Sequence, residues 1–442
     1  MNTPRDVKGR RVVVMGLGHF GGGIAVTRWL VDQGADVLVT DLASPDKLSD
    51  GLEQLKDLPV RLRLGGHDPA DLDGCDLLVV SPAVPKERSP FVQQARARGI
   101  PISSEMNLFV ERCPTRGVIG VTGSAGKSTT TAMIGAILSA AHAAGALPRV
   151  WMGGNIGRSL LADLGAMRAD HWVVLELSSF QLEDLAALRW SPRLAVITNL
   201  APNHLDRHGT LEAYADAKMN IVRFQPADGR VFVHARDEEL AERVRAAGAV
   251  DRLRRYAFDP ALADALRVPG SHNRDNAAAA VAVAKAVGVG DEAIRRGLAA
   301  FTALPHRLEF VGQRDGVRYY NDSKSTTPES TRTALEAFDE PVVMLVGGFD
   351  KQIPLGDISR LLAARARATV CYGQTGPAFH REITAAGGTA ELVRGTFEEA
   401  VAAARRLARP GDVVILSPAC ASYDMFKNYE ERGETFKKLA LA

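Results

Sequence analysis

The sequence predicts an α/β protein of three domains: a Rossmann-like domain, a central phosphate-loop domain with a mostly parallel sheet, and a second Rossmann-like domain. Short apolar strands alternate with helical stretches along the whole chain, as in helices layered on parallel sheets. Two glycine-rich loops, at residues 16–21 and 120–129, each follow such a strand. A chain of 442 residues also exceeds what one hydrophobic core usually holds. We therefore expect domains at residues 1–102, 103–304 and 305–442.

Each predicted domain has its own series of strands. The first series lies at residues 11–15, 36–40, 60–64 and 77–81, with a helix at 24–33. The central series includes 117–121, 172–175 and 194–198, with a helix at 129–138. The third begins near Phe310 and includes 342–346, 369–372 and 413–416, with a helix at 401–407. A turn-rich run at 303–307 separates the second series from the third.

Composition narrows the class of protein. The net charge of +2 gives no reason to expect a nucleic-acid surface or a polybasic membrane patch. The four cysteines are scattered without C-x-x-C spacing, which argues against a disulfide framework or a structural zinc site. No apolar run approaches the roughly 18 residues of a membrane span. We expect a cytoplasmic protein without nucleic-acid or membrane partners, and a monomer.

The first glycine loop is a G-x-G-x-x-G run formed by Gly16, Gly18 and Gly21. Glycines let the backbone approach a diphosphate, and Asp41, at the end of the next strand, could hold a ribose hydroxyl. The pattern fits NAD(P) or FAD, another nucleotide such as UDP, or a purely structural turn. This segment alone does not decide among them.

The second glycine loop reads Gly-Val-Thr-Gly-Ser-Ala-Gly-Lys-Ser-Thr at residues 120–129. Val121 stands where the strict phosphate-loop pattern has its first glycine, yet the other parts keep their roles. Lys127 can reach the β- and γ-phosphates, and the Ser128 hydroxyl can join a Mg²⁺ shell. A strand–helix turn with a solvated lysine is the plain alternative. The loop predicts a site for a nucleoside triphosphate and argues against a dehydrogenase.

Seven motifs in order carry a resemblance to a known family: residues 120–129, 176–183, 198–208, 270–276, 305–309, 321–326 and 417–429. On these the chain resembles the Mur ligases of bacterial cell-wall synthesis, in the branch that adds D-glutamate. The resemblance implies three domains that hold the UDP substrate, ATP and the incoming amino acid. It also implies a reaction: ATP phosphorylates the carboxylate of UDP-N-acetylmuramoyl-L-alanine, D-glutamate attacks the acyl phosphate, and ADP and phosphate are released.

The resemblance assigns roles to residues around ATP and two Mg²⁺ ions. The expected catalytic residues are Lys127, Glu176, His204, Lys218 and Arg307. The expected ATP contacts are Gly123, Ser124, Ala125, Gly126, Lys127, Ser128, Thr129, Asn273, Asn276, Arg307 and Asp322. The expected metal ligands are Ser128, Glu176, His204 and Lys218, the last as a carbamate formed with CO₂. At 125 the family usually has asparagine, so Ala125 puts the geometry of ATP binding in doubt.

The remaining expected contacts belong to the other two substrates. The UDP substrate is assigned to Gly16, Leu17, Gly18, His19, Phe20, Asp41, Asn155 and His204. D-glutamate is assigned to Thr326, Lys351, Ser422 and Tyr429, because a dicarboxylate needs a cation and several donors. The family usually has phenylalanine at the last position, so Tyr429 is a departure that bears on substrate contact.

Several residues also have structural interpretations. Without the resemblance Lys218 is a helix-surface lysine, His204 a loop histidine and Glu176 an exposed strand-end carboxylate. Ser178 and Ser179 fit helix caps, as do Asn273 and Asn276, while Arg307 and Asp322 fit a salt bridge.

Three other functions fit the sequence less well. A sibling ligase or a folylpolyglutamate-type synthase would add another amino acid. A non-catalytic homologue would be expected to lack Lys127, Glu176, His204 or Lys218, and all four are present. An NAD-dependent oxidoreductase would use only the first loop.

Overall fold

A computed structural model describes residues 6–17 and 21–442, which form two compact units containing three sheets. The first unit comprises the chain up to Phe258 together with Asn276–Gly297. The second comprises Asp259–Asp275 and Leu298–Ala442. Within these described ranges no helix is long and apolar enough to cross a membrane.

The first sheet has the strand order β3-β2-β1-β4-β5, and every neighbouring pair is parallel. This is the order of a Rossmann-like domain, in which the sheet is wound in both directions from its first strand. The strands are β1 (Arg11–Met15), β2 (Asp36–Asp41), β3 (Arg61–Leu64), β4 (Leu77–Val80) and β5 (Ile102–Ser103). The helices are α1 (Gly22–Asp32), α2 (Ser49–Glu53), α3 (Pro90–Ala97) and α4 (Glu105–Arg112).

The second sheet, also in the first unit, has the order β11-β10-β9-β6-β8-β7 and is parallel throughout. Its strands are β6 (Gly117–Thr122), β7 (Val150–Gly154), β8 (Trp172–Glu176), β9 (Leu194–Ile197), β10 (Arg230–His234) and β11 (Leu253–Tyr256). The helices are α5 (Lys127–Ala143), α6 (Ser179–Ala187), α7 (Leu205–His208), α8 (Leu211–Arg223), α9 (Glu238–Ala246), α10 (Ser271–Ala286) and α11 (Asp291–Ala300). Of these, α10 begins and α11 ends with residues of the second unit. Because β6 lies between β8 and β9, the loops after these strands meet at one edge.

The first two sheets share one hydrophobic core, which is why they form a single unit. A continuous cluster of buried residues runs from Val12 and Val14 of β1 to Val173 and Leu175 of β8. The short 3-10 helix Leu161–Ala166 contacts both α1 and α4 and so joins the two layers. A partly buried ion pair between Lys86 and Asp184 also crosses from one layer to the other.

The third sheet lies in the second unit and has the order β12-β13-β17-β14-β15-β16. Only the β12–β13 pairing is antiparallel among its pairings. The strands are β12 (Glu309–Arg314), β13 (Val317–Asn321), β14 (Val342–Gly347), β15 (Ala368–Tyr372), β16 (Ala390–Leu392) and β17 (Val413–Leu416). The helices are α12 (Pro328–Leu335), α13 (Gly356–Arg365), α14 (Gly376–Ala385), α15 (Phe397–Leu407) and α16 (Tyr429–Ala440).

The predicted α/β class with three mostly parallel sheets is confirmed. Element bounds differ mainly at helices: α5 begins at Lys127 rather than 129 and continues to Ala143. It starts earlier because the lysine already belongs to its first turn, directly after the positive-φ Gly126. The domain boundaries near residues 102 and 305 stay a prediction.

Candidate nucleotide and amino-acid sites

The phosphate loop needs glycine at two positions. Gly123 has φ 146° and Gly126 has φ 79°, both in the region that favours glycine. A Cβ at Gly123 would lie 1.9 Å from the Thr198 hydroxyl oxygen, and one at Gly126 would lie 2.4 Å from Asn276 Oδ1. Substitution is therefore opposed by backbone strain and by collision. The loop leads into the N-terminus of α5, where the positive end of the helix dipole favours an anion.

Lys127 is folded back onto this loop. Its Nζ donates to the carbonyl oxygens of Gly123 and Ser124, each at 3.0 Å. Ser128 and Thr129 occupy the same first helical turn and are partly exposed. The loop therefore has an ammonium, a hydroxyl and a helix N-terminus at the edge of the sheet.

The segment after β9 braces the loop, a role that the sequence interpretation missed. Asn199 pairs with the backbone of Ala125: the Ala125 N–H donates to Asn199 Oδ1 at 2.9 Å, and Asn199 Nδ2 donates to the Ala125 carbonyl at 3.1 Å. The Thr198 hydroxyl donates to the same carbonyl at 2.6 Å. These residues belong to the motif at 198–208, in which the sequence predicted a role only for His204. The Asn199 side chain therefore places an amide beside the loop, although residue 125, where the family usually has asparagine, is alanine.

Glu176 lies at the end of β8 and is 2 % exposed. Asn155 Nδ2 donates to its Oε1 at 2.7 Å, while Oε2 is buried and accepts no hydrogen bond from the described residues. A buried carboxylate oxygen without a partner is costly unless a ligand satisfies it. The alternative of an exposed strand-end carboxylate is therefore wrong. Asn155, expected at the UDP substrate, bonds to Glu176 in this structure.

Lys218 lies on α8 and is 1 % exposed, so the helix-surface alternative is wrong. Its Nζ donates to the Gly123 carbonyl at 2.9 Å and to Thr122 Oγ1 at 3.3 Å, and lies 4.5 Å from the centre of the Tyr214 ring. Burial lowers the pKa of Lys218 to about 7; the charge of Lys127 acts in the same direction and Glu176 opposes it.

His204 begins α7 with a left-handed backbone, φ 52°. It is exposed, and its ring lies 5.2 Å from that of Phe180 and 6.4 Å from that of Tyr214. Partial burial and the two nearby lysines lower its pKa, against the effect of Asp206. His208 Nε2 is 3.0 Å from Ser179 Oγ.

The structural interpretation holds for one of the two serines after β8. Ser178 is the N-cap of α6 in a capping box with Gln181. Ser179 instead belongs to the first turn of the helix and contacts His208.

The structure describes only part of the first glycine loop. Gly16 has φ 90°, and a Cβ there would lie 3.0 Å from the Ser81 Cβ. Asp41 accepts hydrogen bonds from the N–H groups of Leu17 and Ala43, at 2.9 and 2.8 Å, so its two carboxylate oxygens support the loop. Gly18, His19 and Phe20 lie outside the described residues.

The two asparagines at the start of α10 make different contacts. Asn276 Oδ1 accepts from the Thr130 hydroxyl at 3.1 Å, behind the phosphate loop. Asn273 is 7 % exposed, and its Nδ2 donates to the Pro269 carbonyl at 2.6 Å.

In the second unit, Asp322 is buried next to the end of β17, where its N–H donates to the Leu416 carbonyl. It accepts from the Leu308 N–H at 3.1 Å and from the Ser417 hydroxyl at 2.8 Å, and burial raises its pKa to about 6. Arg307 is exposed between two residues with positive φ, His306 at 61° and Leu308 at 45°. In the described chain Arg307 and Asp322 form no direct ion pair, although the charge of Arg307 acts to lower the pKa of Asp322 against the effect of burial.

Three of the four residues expected at D-glutamate lie on loops at the carboxyl edge of the third sheet. Thr326 follows β13, Lys351 follows β14, and Ser422 follows β17. Tyr429 begins α16, and burial raises its pKa. Ser422 is 2 % exposed and Lys351 is exposed. An isolated bridge between Phe349 and Ala421 holds two of these loops together.

Fold and site define an α/β protein with a phosphate-binding loop. Three family models match it: the MurD-like N-terminal domain over residues 10–104, the Mur ligase middle domain over 121–260, and the Mur ligase glutamate ligase domain over 306–420. The UDP-N-acetylmuramoylalanine–D-glutamate ligase of Roseiflexus sp. (strain RS-1) is 41 % identical, with 98 % of this chain and 99 % of that protein covered. Its namesake from Pelotomaculum thermopropionicum is 39 % identical, with 99 % of each covered.

Among solved structures, the UDP-N-acetylmuramate–alanine ligase MurC of Thermotoga maritima aligns with TM-score 0.60 and 20 % identity, over 97 % of this chain and 98 % of that one. The MurF ligase of Thermotoga maritima in complex with ADP aligns with TM-score 0.57 and 16 % identity, over 99 % and 95 %. These two likenesses concern the fold. The chain belongs to the Mur ligase family, in the branch of UDP-N-acetylmuramoylalanine–D-glutamate ligases.

Proposed function

We propose that this protein is an ATP-dependent ligase that joins D-glutamate to UDP-N-acetylmuramoyl-L-alanine through an acyl phosphate, in peptidoglycan precursor synthesis. The observation that carries the proposal is the buried Glu176 and Lys218 beside a phosphate loop. A purely structural glycine turn has no need of an unsatisfied carboxylate oxygen and a desolvated ammonium next to it.

The loop residues 123–129 would bind the ATP phosphates. Lys127 would exchange its two carbonyl contacts for the β- and γ-phosphates, and the first N–H groups of α5 would face the same anion. Asn273 and Asn276 would contact the nucleoside, with Arg307 at the transferring phosphoryl group and Asp322 at the ribose. Phosphorylation of the substrate carboxylate turns one difficult condensation into two easier steps.

Two Mg²⁺ ions would be held by Ser128, Glu176, His204 and a carbamate on Lys218. The described residues contain no group of three or more His, Cys, Asp or Glu side chains placed to hold a metal ion. The unsatisfied Glu176 Oε2 is nonetheless a suitable Mg²⁺ ligand, because Mg²⁺ prefers oxygen ligands and bound phosphates would complete its coordination shell. Bound Mg²⁺ would neutralise charge on the transferring phosphoryl group.

The carbamate would supply the second protein carboxylate that such a site needs. The Lys218 ammonium would first lose one proton; the neutral amine would then form an N–C bond with CO₂ as one C=O π bond opens, and lose a second proton. The loss of two protons in all converts a cation into an anion. Burial against the loop favours this change, because the neutral amine is the reactive form. The added charge would also lie beside Lys127, which favours an anion there.

The other two substrates follow the same assignments. The UDP substrate would be held by residues 16–20 of the first glycine loop and by Asp41, Asn155 and His204. D-glutamate would be held by Thr326, Lys351, Ser422 and Tyr429. We also propose a cytoplasmic monomer with domain boundaries near residues 102 and 305.

The decisive experiment is phosphate release from ATP and UDP-N-acetylmuramoyl-L-alanine with D-glutamate, L-glutamate, lysine or diaminopimelate in turn. We expect release that depends on the UDP substrate and is fastest with D-glutamate. Equal rates with all four amino acids would overturn the specific assignment and leave a sibling ligase. No release with any of them would overturn the ligase function.

A further inference from the structure

Arg432, on the first turn of α16, is a fully buried guanidinium that has no acidic hydrogen-bond partner among the described residues. It is 0 % exposed, and every hydrogen bond that it makes in the described chain goes to a neutral oxygen. Buried arginines usually face a carboxylate, because a desolvated charge is costly. A buried charge retained without an anion calls for a specific explanation.

The guanidinium uses all five of its N–H groups on two loops. Nε donates to Ser323 Oγ at 3.0 Å, and Nη2 donates to the Ser323 carbonyl at 2.9 Å. Nη1 donates to the Cys420 and Ala421 carbonyls at 3.1 and 3.2 Å, and Nη2 also reaches the Cys420 carbonyl at 3.1 Å. A planar fork of five donors suits this arrangement, and an ammonium with three donors does not.

Two further segments depend on the same contacts. Ser323 Oγ, which accepts from Arg432, donates to the Tyr429 carbonyl at 2.8 Å. The Ala421 carbonyl, which also accepts from Arg432, accepts from the Phe349 N–H at 2.9 Å. Four segments therefore meet at one side chain: the loops after β13, β14 and β17, and the start of α16.

We propose that Arg432 is the positioning residue of the amino-acid site. This inference rests on the proposed function, which places D-glutamate at Thr326, Lys351, Ser422 and Tyr429. Each of those four residues lies within three sequence positions of a backbone group that the guanidinium holds. The guanidinium bonds directly to the Ser323 and Ala421 carbonyls, and it reaches the Tyr429 carbonyl and the Phe349 N–H through one further hydrogen bond. The three carbonyl oxygens that accept from Arg432 face away from solvent, near the place proposed for an anionic substrate. The fixed positive charge of the guanidinium offsets their partial negative charge.

The test compares Arg432→Lys, Arg432→Gln and the control Arg367→Lys in the full-length protein. Arg367 pairs with Asp412 at the opposite, amino-terminal edge of the same sheet, so its change perturbs the unit without touching the four segments. Phosphate release is measured with D-glutamate, ATP and the UDP substrate varied separately. We expect Arg432→Lys to raise KM for D-glutamate about tenfold or more, with KM for the other two substrates within twofold. Arg432→Gln should raise KM for D-glutamate further, and the control Arg367→Lys should leave KM unchanged for all three substrates.

Three outcomes would overturn the inference in an active wild-type enzyme: an unchanged KM for D-glutamate, equal rises for all substrates, or the same selective rise in the control. Where the Arg432 variants do not fold, Ser323→Ala removes one acceptor and its link to Tyr429 while the guanidinium remains. A selective rise of about threefold in KM for D-glutamate supports the inference there, and no rise overturns it. An inactive wild type would instead refute the proposed function.

Discussion

Removal of the buried ammonium of Lys218 should change how stability depends on pH. Its pKa falls from an ordinary 10.5 to about 7 in the folded protein, and the side chain is 1 % exposed. The unfolded chain therefore binds more protons than the folded chain between these two values, so this lysine makes stability rise with pH there. The cost of folding with a charged Lys218 is full below pH 7, about 5 kcal/mol, and is absent above 10.5.

Lys218→Met removes this dependence at similar volume. We expect the free energy of unfolding of the variant relative to wild type to fall by about 2 kcal/mol between pH 7 and 9 in CO₂-free buffer. Urea unfolding followed by tryptophan fluorescence isolates the effect, because Trp29, Trp151, Trp172 and Trp190 all belong to the first unit. Lys285→Met, at a largely exposed lysine of the same unit, is the matched control and should give a flat difference. A flat difference for Lys218→Met as well would refute the desolvation argument.

Three further changes test the phosphate loop and its surroundings. Glu176→Gln keeps the shape of the side chain but removes the charge, and should lower kcat for phosphate release by about 10²-fold or more; a smaller loss would exclude a metal ligand. Asn199→Ala removes two hydrogen bonds to the loop and should raise KM for ATP about tenfold with little change in Tm. Gly126→Ala should abolish ATP binding in calorimetry, because its Cβ would meet Asn276 at 2.4 Å. Gly145→Ala, with φ 73° and no atom within 4 Å, is the control for backbone strain alone, and ATP binding retained by Gly126→Ala would contradict the collision.

Most of the fold was predictable because local signals agree with tertiary packing. Apolar runs such as β8 and β9 are buried on both faces of a parallel sheet, so they stand out from their flanks. The phosphate loop was equally clear, since glycine, lysine and hydroxyl side chains each have a role that depends on local geometry.

The environment of Lys218 was not predictable in the same way. Its helix carries buried residues such as Tyr214 and Ile221, yet only the packing of α8 against α6 and the central strand β6 shows that the lysine is buried with them. The pairing of Asn199 with Ala125 depends on the adjacency of β6 and β9, which are separated by more than seventy residues. Arg432 raises the same difficulty, because four of its five hydrogen bonds go to backbone carbonyls, which have no signature in the sequence.

The common hydrophobic cluster of the first two sheets limits how this protein could exchange parts with its relatives. A chimaera that takes residues 1–104 from another family member would replace only one side of a packed seam. Residues of the retained layer, such as Leu161 and Trp151, would then meet unmatched side chains and leave voids. The first layer and the helix Leu161–Ala166 should therefore have diverged together, and grafts that carry both sides of the seam should express better than grafts of the first layer alone.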